Sequence, residues 1–107
     1  MRRFSQERDW NQFHNPKDLA IGIVTEGSEL LEKFRFKSEA ETIELLNSEA
    51  SRQEINEELS DILYFVLRFA QRYGIDLSTE LGKKVKKNAI RYPIDKAKGS
   101  NKKYDEL

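Results

Sequence analysis

The chain has 107 residues, with 19 basic and 19 acidic side chains and a formal net charge of zero. This length allows one domain with a modest core. Cysteine is absent, which excludes disulfides, thiolate metal sites and cysteine nucleophiles. The single histidine, His14, argues against zinc sites and against di-iron bundles built on Glu-x-x-His motifs. No stretch is apolar enough for a membrane span or a signal peptide, so we expect a cytoplasmic protein.

Charge is distributed unevenly along the chain. Residues 26–61 contain eleven acids and four bases, whereas residues 82–104 contain nine bases and one acid. An acidic centre that binds metal, beside a basic segment that meets phosphates, would suit a nucleotide site. The alternative is attraction between two solvated faces, and the charge pattern alone does not choose between them.

Helix start signals occur twice near the N-terminus. Ser5, followed by Gln6 and Glu7, predicts an N-cap for a short first helix. Asn15 followed by Pro16 predicts the N-cap and first position of a second helix, which should run to about residue 34. The apolar stripe of this helix is Ala20, Ile23, Val24, Gly27, Leu30, Leu31 and Phe34. Within the stripe, Gly27 predicts close approach of a neighbouring backbone.

The pattern loosens over residues 35–51, where a short helix at 40–47 is one reading that the sequence does not settle. A long helix is predicted from about residue 51 to residue 73, ending at Gly74. Its apolar arc covers roughly 200°, against about 100° for a typical surface helix. We therefore expect it to pack against helices of another subunit.

The last helix should begin at a cap formed by Asp76 or Ser78 and end at Pro93. We divide the chain into a helical domain at residues 1–93 and a basic tail at residues 94–107. The tail has no periodicity, and it is either flexible or folded over a partner surface. No segment has a strand pattern. The sequence predicts an all-α fold of the four-helix-bundle type, assembled as a homo-oligomer.

Two of the predicted helices each carry a pair of carboxylates three residues apart. These are Glu26 with Glu29, and Glu58 with Asp61. Residues at i and i+3 share a helix face, so two such helices packed side by side could bring four carboxylates to one point. Four carboxylates repel one another unless cations lie between them. Oxygen ligands of this kind suit Mg²⁺ or Mn²⁺, and Mg²⁺ so held usually recruits phosphates.

Position on the helix distinguishes these acids from others at the same spacing. The spacing also occurs at Glu29 and Glu32, Glu41 and Glu44, and Glu54 and Glu57. Glu58, however, falls inside the apolar arc of its helix, between Ile62 and Phe65. A buried carboxylate there needs a cation or a proton. The alternative is that the four acids are surface groups, or are paired with Lys33 or Arg52.

Other candidates for substrate contact lie on the last helix and beside the second. Lys84, Asn88 and Tyr92 share one face, and Asn88 lies within the apolar stripe. A buried amide needs hydrogen-bond partners, which a nucleotide or neighbouring backbone would supply. Trp10, Phe13 and His14 precede the second helix, and Phe34 and Phe36 flank its end. These rings either stack on a base or belong to the packing of the core.

Taken together, the segments RDWNQFHNPKDL, EGSELLEKF, EELSDILYF and NAIRYP, with KKYDEL at the end, resemble the MazG-like all-α nucleoside triphosphate pyrophosphohydrolases. The resemblance covers nearly the whole chain and is strongest to the dCTP pyrophosphatase branch. It implies a tetrameric helical bundle, a dimer of dimers, that uses Mg²⁺. Such enzymes hydrolyse a (d)NTP between the α and β phosphates, releasing monophosphate and pyrophosphate. The implied substrate is dCTP or a modified dCTP, and the implied role is nucleotide-pool cleaning.

The resemblance also assigns residues. It makes the metal ligands Glu26, Glu29, Glu58 and Asp61, and it makes Glu29 the candidate general base. It places Lys84, Asn88 and Tyr92 on the nucleotide and Trp10 around the base, and we add His14 to the residues expected to contact substrate. Phe36 stands where vertebrate relatives carry tryptophan, and Phe65 where they carry tyrosine. The chain also begins later than those relatives. We therefore expect an altered base pocket.

A different class of function is a non-catalytic interaction module, with the basic C-terminal segment contacting nucleic acid or a protein partner. This segment has no aromatic residues beyond Tyr92 and Tyr104. Single-stranded nucleic-acid binding usually combines basic and stacking side chains. We therefore expect no stable nucleic-acid binding, and no membrane association.

Overall fold

The computed structural model describes residues 2–101, and every regular element in that range is helical. The chain divides into two compact units, of which the first ends at Gly74 and the second begins at Ile75. The first unit contains α1 (Arg2–Glu7), a 3₁₀ turn (Trp10–Phe13), α2 (Pro16–Phe34), α3 (Glu39–Asn47) and α4 (Glu49–Arg72). The second contains α5 (Leu77–Arg91) and α6 (Ile94–Ala97). The prediction of an all-α fold is confirmed for residues 2–101.

The start of α2 is as predicted. The Asn15 side chain accepts a hydrogen bond of 2.8 Å from the Asp18 backbone N–H, and Pro16 occupies the first turn. Pro16 has no N–H to leave unpaired, so it begins the helix at no cost. The helix ends at Phe34, also as predicted.

The predicted role of Ser5 as an N-cap is wrong. Helix α1 begins earlier, at Arg2, and Ser5 lies inside it with a fully buried side chain. The hydroxyl groups of Ser5 and Tyr64 share a hydrogen bond of 3.2 Å. Because the Ser5 hydroxyl hydrogen-bonds a distant side chain, it does not bond the backbone of its own helix as a cap would. This bond fastens α1 to α4.

Helices α2 and α4 form an antiparallel pair, because Gly22 meets Phe65 near one end and Lys33 meets Glu54 near the other. Leu19 and Ile55 are its most buried large apolar side chains. A Cβ placed on Gly22 would lie 2.5 Å from Cδ1 of Phe65. Gly22 is thus the glycine that close packing requires. The prediction for Gly27 was wrong within this chain, since a Cβ there would meet nothing within 4 Å.

The short helix α3 is confirmed, and local capping explains it. The Ser38 hydroxyl accepts from the Glu41 backbone N–H, and the Glu41 carboxylate accepts from the Ser38 N–H, each at 3.2 Å. This reciprocal arrangement satisfies two backbone donors that a helix start leaves open. The long helix α4 ends at Arg72, and Gly74 follows with φ of 66°, as the predicted stop requires.

Large apolar side chains on the α2–α4 pair remain exposed. On α2 they are Ile21, Val24 and Leu31, and on α4 they are Leu59, Leu63 and Leu67. Val24 is 68% exposed and Leu31 58% exposed, although both belong to the predicted apolar stripe. Few apolar side chains in the first unit are fully buried, so a single chain does not cover the apolar surface that its helices present.

In the second unit, the Asp76 side chain accepts from the Thr79 backbone N–H at 3.2 Å and caps α5. Helix α5 ends at Arg91, before Pro93, as predicted. The predicted tail, residues 94–107, begins with the helical turn α6, and whether it folds over a partner surface stays a prediction. Residues 102–107 lie outside the described range. Among residues 2–101, no helix combines the length and apolar character needed to cross a membrane.

Candidate metal and nucleotide site

Carboxylates from α2 and α4 meet in the first unit. One oxygen from each of Glu26, Glu58 and Asp61 lies within 4.8 Å of the others. Glu26 and Glu58 are half-buried, whereas Asp61 is exposed. The antiparallel pairing of the two helices produces this cluster, because it sets the i and i+3 positions of one helix opposite those of the other. Three of the four predicted metal ligands therefore share one point.

Glu29, the fourth predicted ligand, lies at the edge of the same cluster. Its carboxyl is close enough to those of Glu26 and Glu58 to hydrogen-bond with their protonated forms. The Glu29 side chain is exposed and also lines an open cavity of about 350 Å³ that includes Lys33 and Lys37. Glu29, like Asp61, is therefore an exposed acid beside the two half-buried glutamates, and it alone of the four lines this cavity.

The electrostatics of the cluster favour added positive charge. Burial first, and then the neighbouring carboxyls of Glu29, Asp61 and Glu58, together raise the pKa of Glu26 to about 7. Burial and Glu29 likewise raise the pKa of Glu58. One oxygen of each of these two residues is buried with no hydrogen-bond partner among residues 2–101. A carboxylate oxygen accepts but cannot donate, so contact with Glu29 satisfies neither unless a proton is shared. A divalent cation would satisfy both.

No basic side chain takes the place of that cation. The four acids form no ion pair within the described residues. Lys33 pairs with Glu54 at 3.2 Å, although it is near enough to Glu58 to oppose the rise in its pKa. The Arg52 guanidinium donates to the backbone carbonyl of Leu46. Within residues 2–101, none of the four acids forms an ion pair with Lys33 or Arg52, and the all-oxygen donor set fits Mg²⁺ or Mn²⁺.

An aromatic cavity adjoins the carboxylate cluster. It has a volume of about 560 Å³ and is lined by Phe4, Trp10, Asp61, Tyr64 and Phe65. The rings of Phe4 and Trp10 meet edge to face at 5.4 Å between centroids, and those of Tyr64 and Phe65 do so at the same distance. Because Asp61 belongs to both features, the cavity opens beside the cluster. A flat apolar ring could stack there while phosphates reach the carboxylates.

Sequence reasoning placed two of these rings, Trp10 and Phe65, at the base pocket. It missed Phe4, whose ring packs on Trp10, and Tyr64. For Tyr64 a signal existed, since it lies at i+3 from Asp61 and so shares its face of α4. No local pattern identified Phe4, because its place depends on how α1 packs against α4.

Two other predicted contact residues do not line this cavity. His14 is buried, and its Nδ1 accepts a hydrogen bond of 2.8 Å from Nε of Arg68. Burial and the positive charges of Arg68 and Arg72 lower the pKa of His14. Phe36 is 92% exposed just after α2, with φ of 64°, and the Arg35 guanidinium lies over its ring. Within a single chain, His14 is part of the buried packing, whereas the Phe36 ring is left exposed to solvent.

The remaining predicted contacts lie in the second unit. Lys84 and Asn88 are on α5, and Tyr92 is its C-cap residue, so the three positions lie four residues apart. Lys84 is exposed, while Asn88 and Tyr92 are half-buried. This placement agrees with one shared helix face. Their role in nucleotide binding stays a prediction.

The carboxylate cluster thus adjoins the aromatic cavity through Asp61 and the cavity with two lysines through Glu29. Residues 21–107 match the model of the MazG-like family. The chain belongs to the MazG-like family.

Two curated relatives of this MazG-like chain are both named dCTP pyrophosphatase 1. It is 39% identical over 104 residues to dCTP pyrophosphatase 1 from Rattus norvegicus, and equally so to that from Homo sapiens. Each match covers 97% of this chain but 61% of the relative, so the chain spans less than two thirds of the length of these curated relatives. A crystal structure of a pyrophosphatase from Archaeoglobus fulgidus DSM 4304 superposes with a TM-score of 0.80 at 34% identity. That match covers 86% of this chain and 84% of the archaeal one.

Proposed function

We propose that this MazG-like chain is a Mg²⁺-dependent pyrophosphohydrolase of nucleoside triphosphates. It cleaves a (d)NTP between the α and β phosphates, with dCTP or a modified dCTP as substrate, and so removes unwanted nucleotides from the pool. The observation that carries the proposal is the carboxylate cluster, in which buried oxygens of Glu26 and Glu58 lack a partner beside an aromatic cavity. The names of the relatives, two dCTP pyrophosphatases and a pyrophosphatase, support it.

The arrangement of the first unit suggests how the substrate lies. A nucleobase would stack in the aromatic cavity between Trp10 and Phe65, where it removes apolar ring surface from water. The phosphates then reach the carboxylate cluster, because Asp61 lines the cavity and belongs to the cluster. Beyond the cluster, Lys33 and Lys37 line a cavity that also includes the acids Glu29, Glu32 and Glu54. Lys33 is paired with Glu54, so Lys37 is the positive charge that would attract the outer phosphates, which leave as pyrophosphate.

The residues of the cluster divide the chemistry among them. Glu26, Glu29, Glu58 and Asp61 would hold Mg²⁺, with Mn²⁺ as the closest substitute. When bound, Mg²⁺ neutralises charge on the phosphate oxygens and increases the acidity of water. Glu29 is the most exposed of the glutamates here and accepts the proton of the water that attacks the α-phosphorus. The bond from the α-phosphorus to the bridging oxygen breaks, and the electrons leave with pyrophosphate.

The second unit and the assembly complete the proposal. From the resemblance, Lys84 would stabilise the phosphates, Asn88 would hydrogen-bond the sugar or a phosphate, and Tyr92 would contact the nucleotide. The exposed apolar side chains on α2 and α4 support assembly as a homo-oligomer, which we expect to be a tetramer built as a dimer of dimers. An assembly also gives Phe36 a partner surface to cover its exposed ring.

A nucleotide panel tests this function. Purified protein is incubated with each common NTP and dNTP and Mg²⁺, and the products are resolved by chromatography, with EDTA in a parallel sample. We expect release of monophosphate and pyrophosphate, fastest from dCTP, and none with EDTA. Turnover of no nucleotide, together with salt-dependent binding to nucleic acid, would instead favour the non-catalytic interaction module.

The role of Glu29 has its own test. Glu29→Gln keeps the shape of the side chain but removes the base, so kcat should fall by about 10²–10⁴-fold. Helicity and oligomeric state should not change. Glu57→Gln is the matched control, because Glu57 is exposed and lies outside the cluster and outside the lining of both adjoining cavities. Equal activity of the wild-type protein and Glu29→Gln would remove Glu29 from the mechanism.

A further inference from the structure

A second polar cavity lies in the first unit, away from the carboxylate cluster. It has a volume of about 230 Å³, and no acid is among its lining residues, which are Arg2, Gln6, Asn11, Arg68, Gln71 and Arg72. Three guanidinium groups and three amides therefore surround one small space. Arg68 follows Asp61 by seven residues on α4, a separation of about 10 Å along the helix axis. None of the ion pairs among the described residues joins a carboxylate of the cluster to these arginines.

Arg68 is the most constrained of the three arginines. It is only 2% exposed, and each of its nitrogens donates to a neutral acceptor. Nε donates to Nδ1 of His14, Nη1 to Oε1 of Gln71 at 2.7 Å, and Nη2 to Oδ1 of Asn11. These bonds fix the orientation of the guanidinium plane. A guanidinium has five N–H donors, so two of them are not used by these three bonds.

The positive charge of Arg68 has no counter-charge among the described residues, since none of the ion pairs there involves it. His14 does not supply one, because a histidine that accepts at Nδ1 is neutral and its pKa is lowered by Arg68 and Arg72. Burying an unpaired charge costs several kcal/mol. Arg72 also approaches this region without a carboxylate partner, which adds to the unbalanced charge.

We propose that this cavity is a binding site for a phosphate-type oxyanion, distinct from the carboxylate site. Guanidinium groups bind phosphate through paired N–H donors, and the amides of Gln6 and Asn11 offer further hydrogen bonds. The volume suits inorganic phosphate or a short polyphosphate rather than a whole nucleotide. The proposal does not depend on the catalytic function, because it needs neither Mg²⁺ nor turnover.

The test measures phosphate binding to metal-free protein. Metals are removed on a chelating resin, since a soluble chelator is itself a polyanion. Inorganic phosphate and, separately, pyrophosphate are titrated by calorimetry and by thermal unfolding, against chloride at matched ionic strength and pH. We expect saturable binding and a rise in the unfolding midpoint that chloride does not give. Tighter binding of pyrophosphate would assign the site to a diphosphate, and equal or weaker binding to a single phosphate group.

Two variants and a matched control locate the binding. Arg72→Gln and Arg2→Gln should each weaken phosphate binding about tenfold, because each removes a charged hydrogen-bond donor. Arg3→Gln makes the same charge change on α1 outside the cavity lining and should bind as the wild type does. Arg68 is left in place, since its loss would disturb buried bonds. No phosphate-specific stabilisation, or binding that is unaffected by both cavity variants, would overturn the proposal.

Discussion

Replacing Gly22 with alanine should damage both the α2–α4 packing and the aromatic cavity. The added Cβ would lie 2.5 Å from Cδ1 and 2.8 Å from Cγ of Phe65. Ordinary carbon contacts are about 3.5–4 Å, so the whole ring must move by about 1 Å. Overpacking of this kind costs about 1–3 kcal/mol, while alanine gains about 1 kcal/mol over glycine inside a helix. The expected net loss of stability is therefore about 0–2 kcal/mol, against a gain for alanine at a helix position with room for it.

Gly27→Ala is the matched control, because it makes the same change five residues along the same helix with nothing within 4 Å. It should raise the free energy of unfolding by about 0.5–1 kcal/mol. Both variants are compared by urea unfolding at one protein concentration, followed by circular dichroism. In a Phe65→Ala background, Gly22→Ala should lose its penalty. Equal effects of the two glycine variants, or a penalty that persists without the Phe65 ring, would refute this reasoning.

Two further predictions concern the carboxylates and α3. Glu26 keeps its proton to about pH 7 when folded but ionises near its usual 4.5 when unfolded, so the free energy of unfolding of metal-free protein should fall as pH rises from about 4.5 to 7. Added Mg²⁺ should reverse this fall. Thermal unfolding across this pH range, with and without Mg²⁺, measures the fall and its reversal. Stability of the metal-free protein that does not change with pH would contradict the raised pKa of Glu26. Ser38→Ala should cost about 1 kcal/mol in urea unfolding, because it removes the capping box of α3; no loss of stability would show that the cap is dispensable.

Local signals in the sequence predicted most of the helix ends. Asn15 with Pro16 fixed the start of α2, Asp76 that of α5, and Gly74 the end of α4, because capping depends on residues within a few positions. Ser5 misled the prediction for the same reason. Its sequence context fits a cap, but its hydroxyl bonds Tyr64, 59 residues away. Such a contact exists only after α1 has packed on α4.

In the candidate site, too, features that depend on neighbours within one helix were predicted, and features that depend on contacts between helices were not. Helical spacing and the apolar arc identified Glu58, and they predicted that it would need a cation or proton. The pairing of α2 with α4 decides which acids meet, and spacing alone could not give that pairing. The burial of Arg68 was not predicted, because an arginine beside an apolar arc usually belongs to the solvent-exposed edge of a helix. Its burial depends on acceptors from Asn11 and His14, which precede α2.

The most direct test of the central claim is hydrolysis of dCTP with Mg²⁺ in ¹⁸O-labelled water, followed by mass spectrometry of the products. The account predicts dCMP and pyrophosphate, with the label in dCMP, because water attacks the α-phosphorus. Glu58→Gln should abolish this reaction. Glu57→Gln, an exposed neighbour outside the cluster, should retain it. Label in pyrophosphate, release of dCDP, or full activity of Glu58→Gln would contradict the claim that this cluster catalyses cleavage at the α-phosphorus.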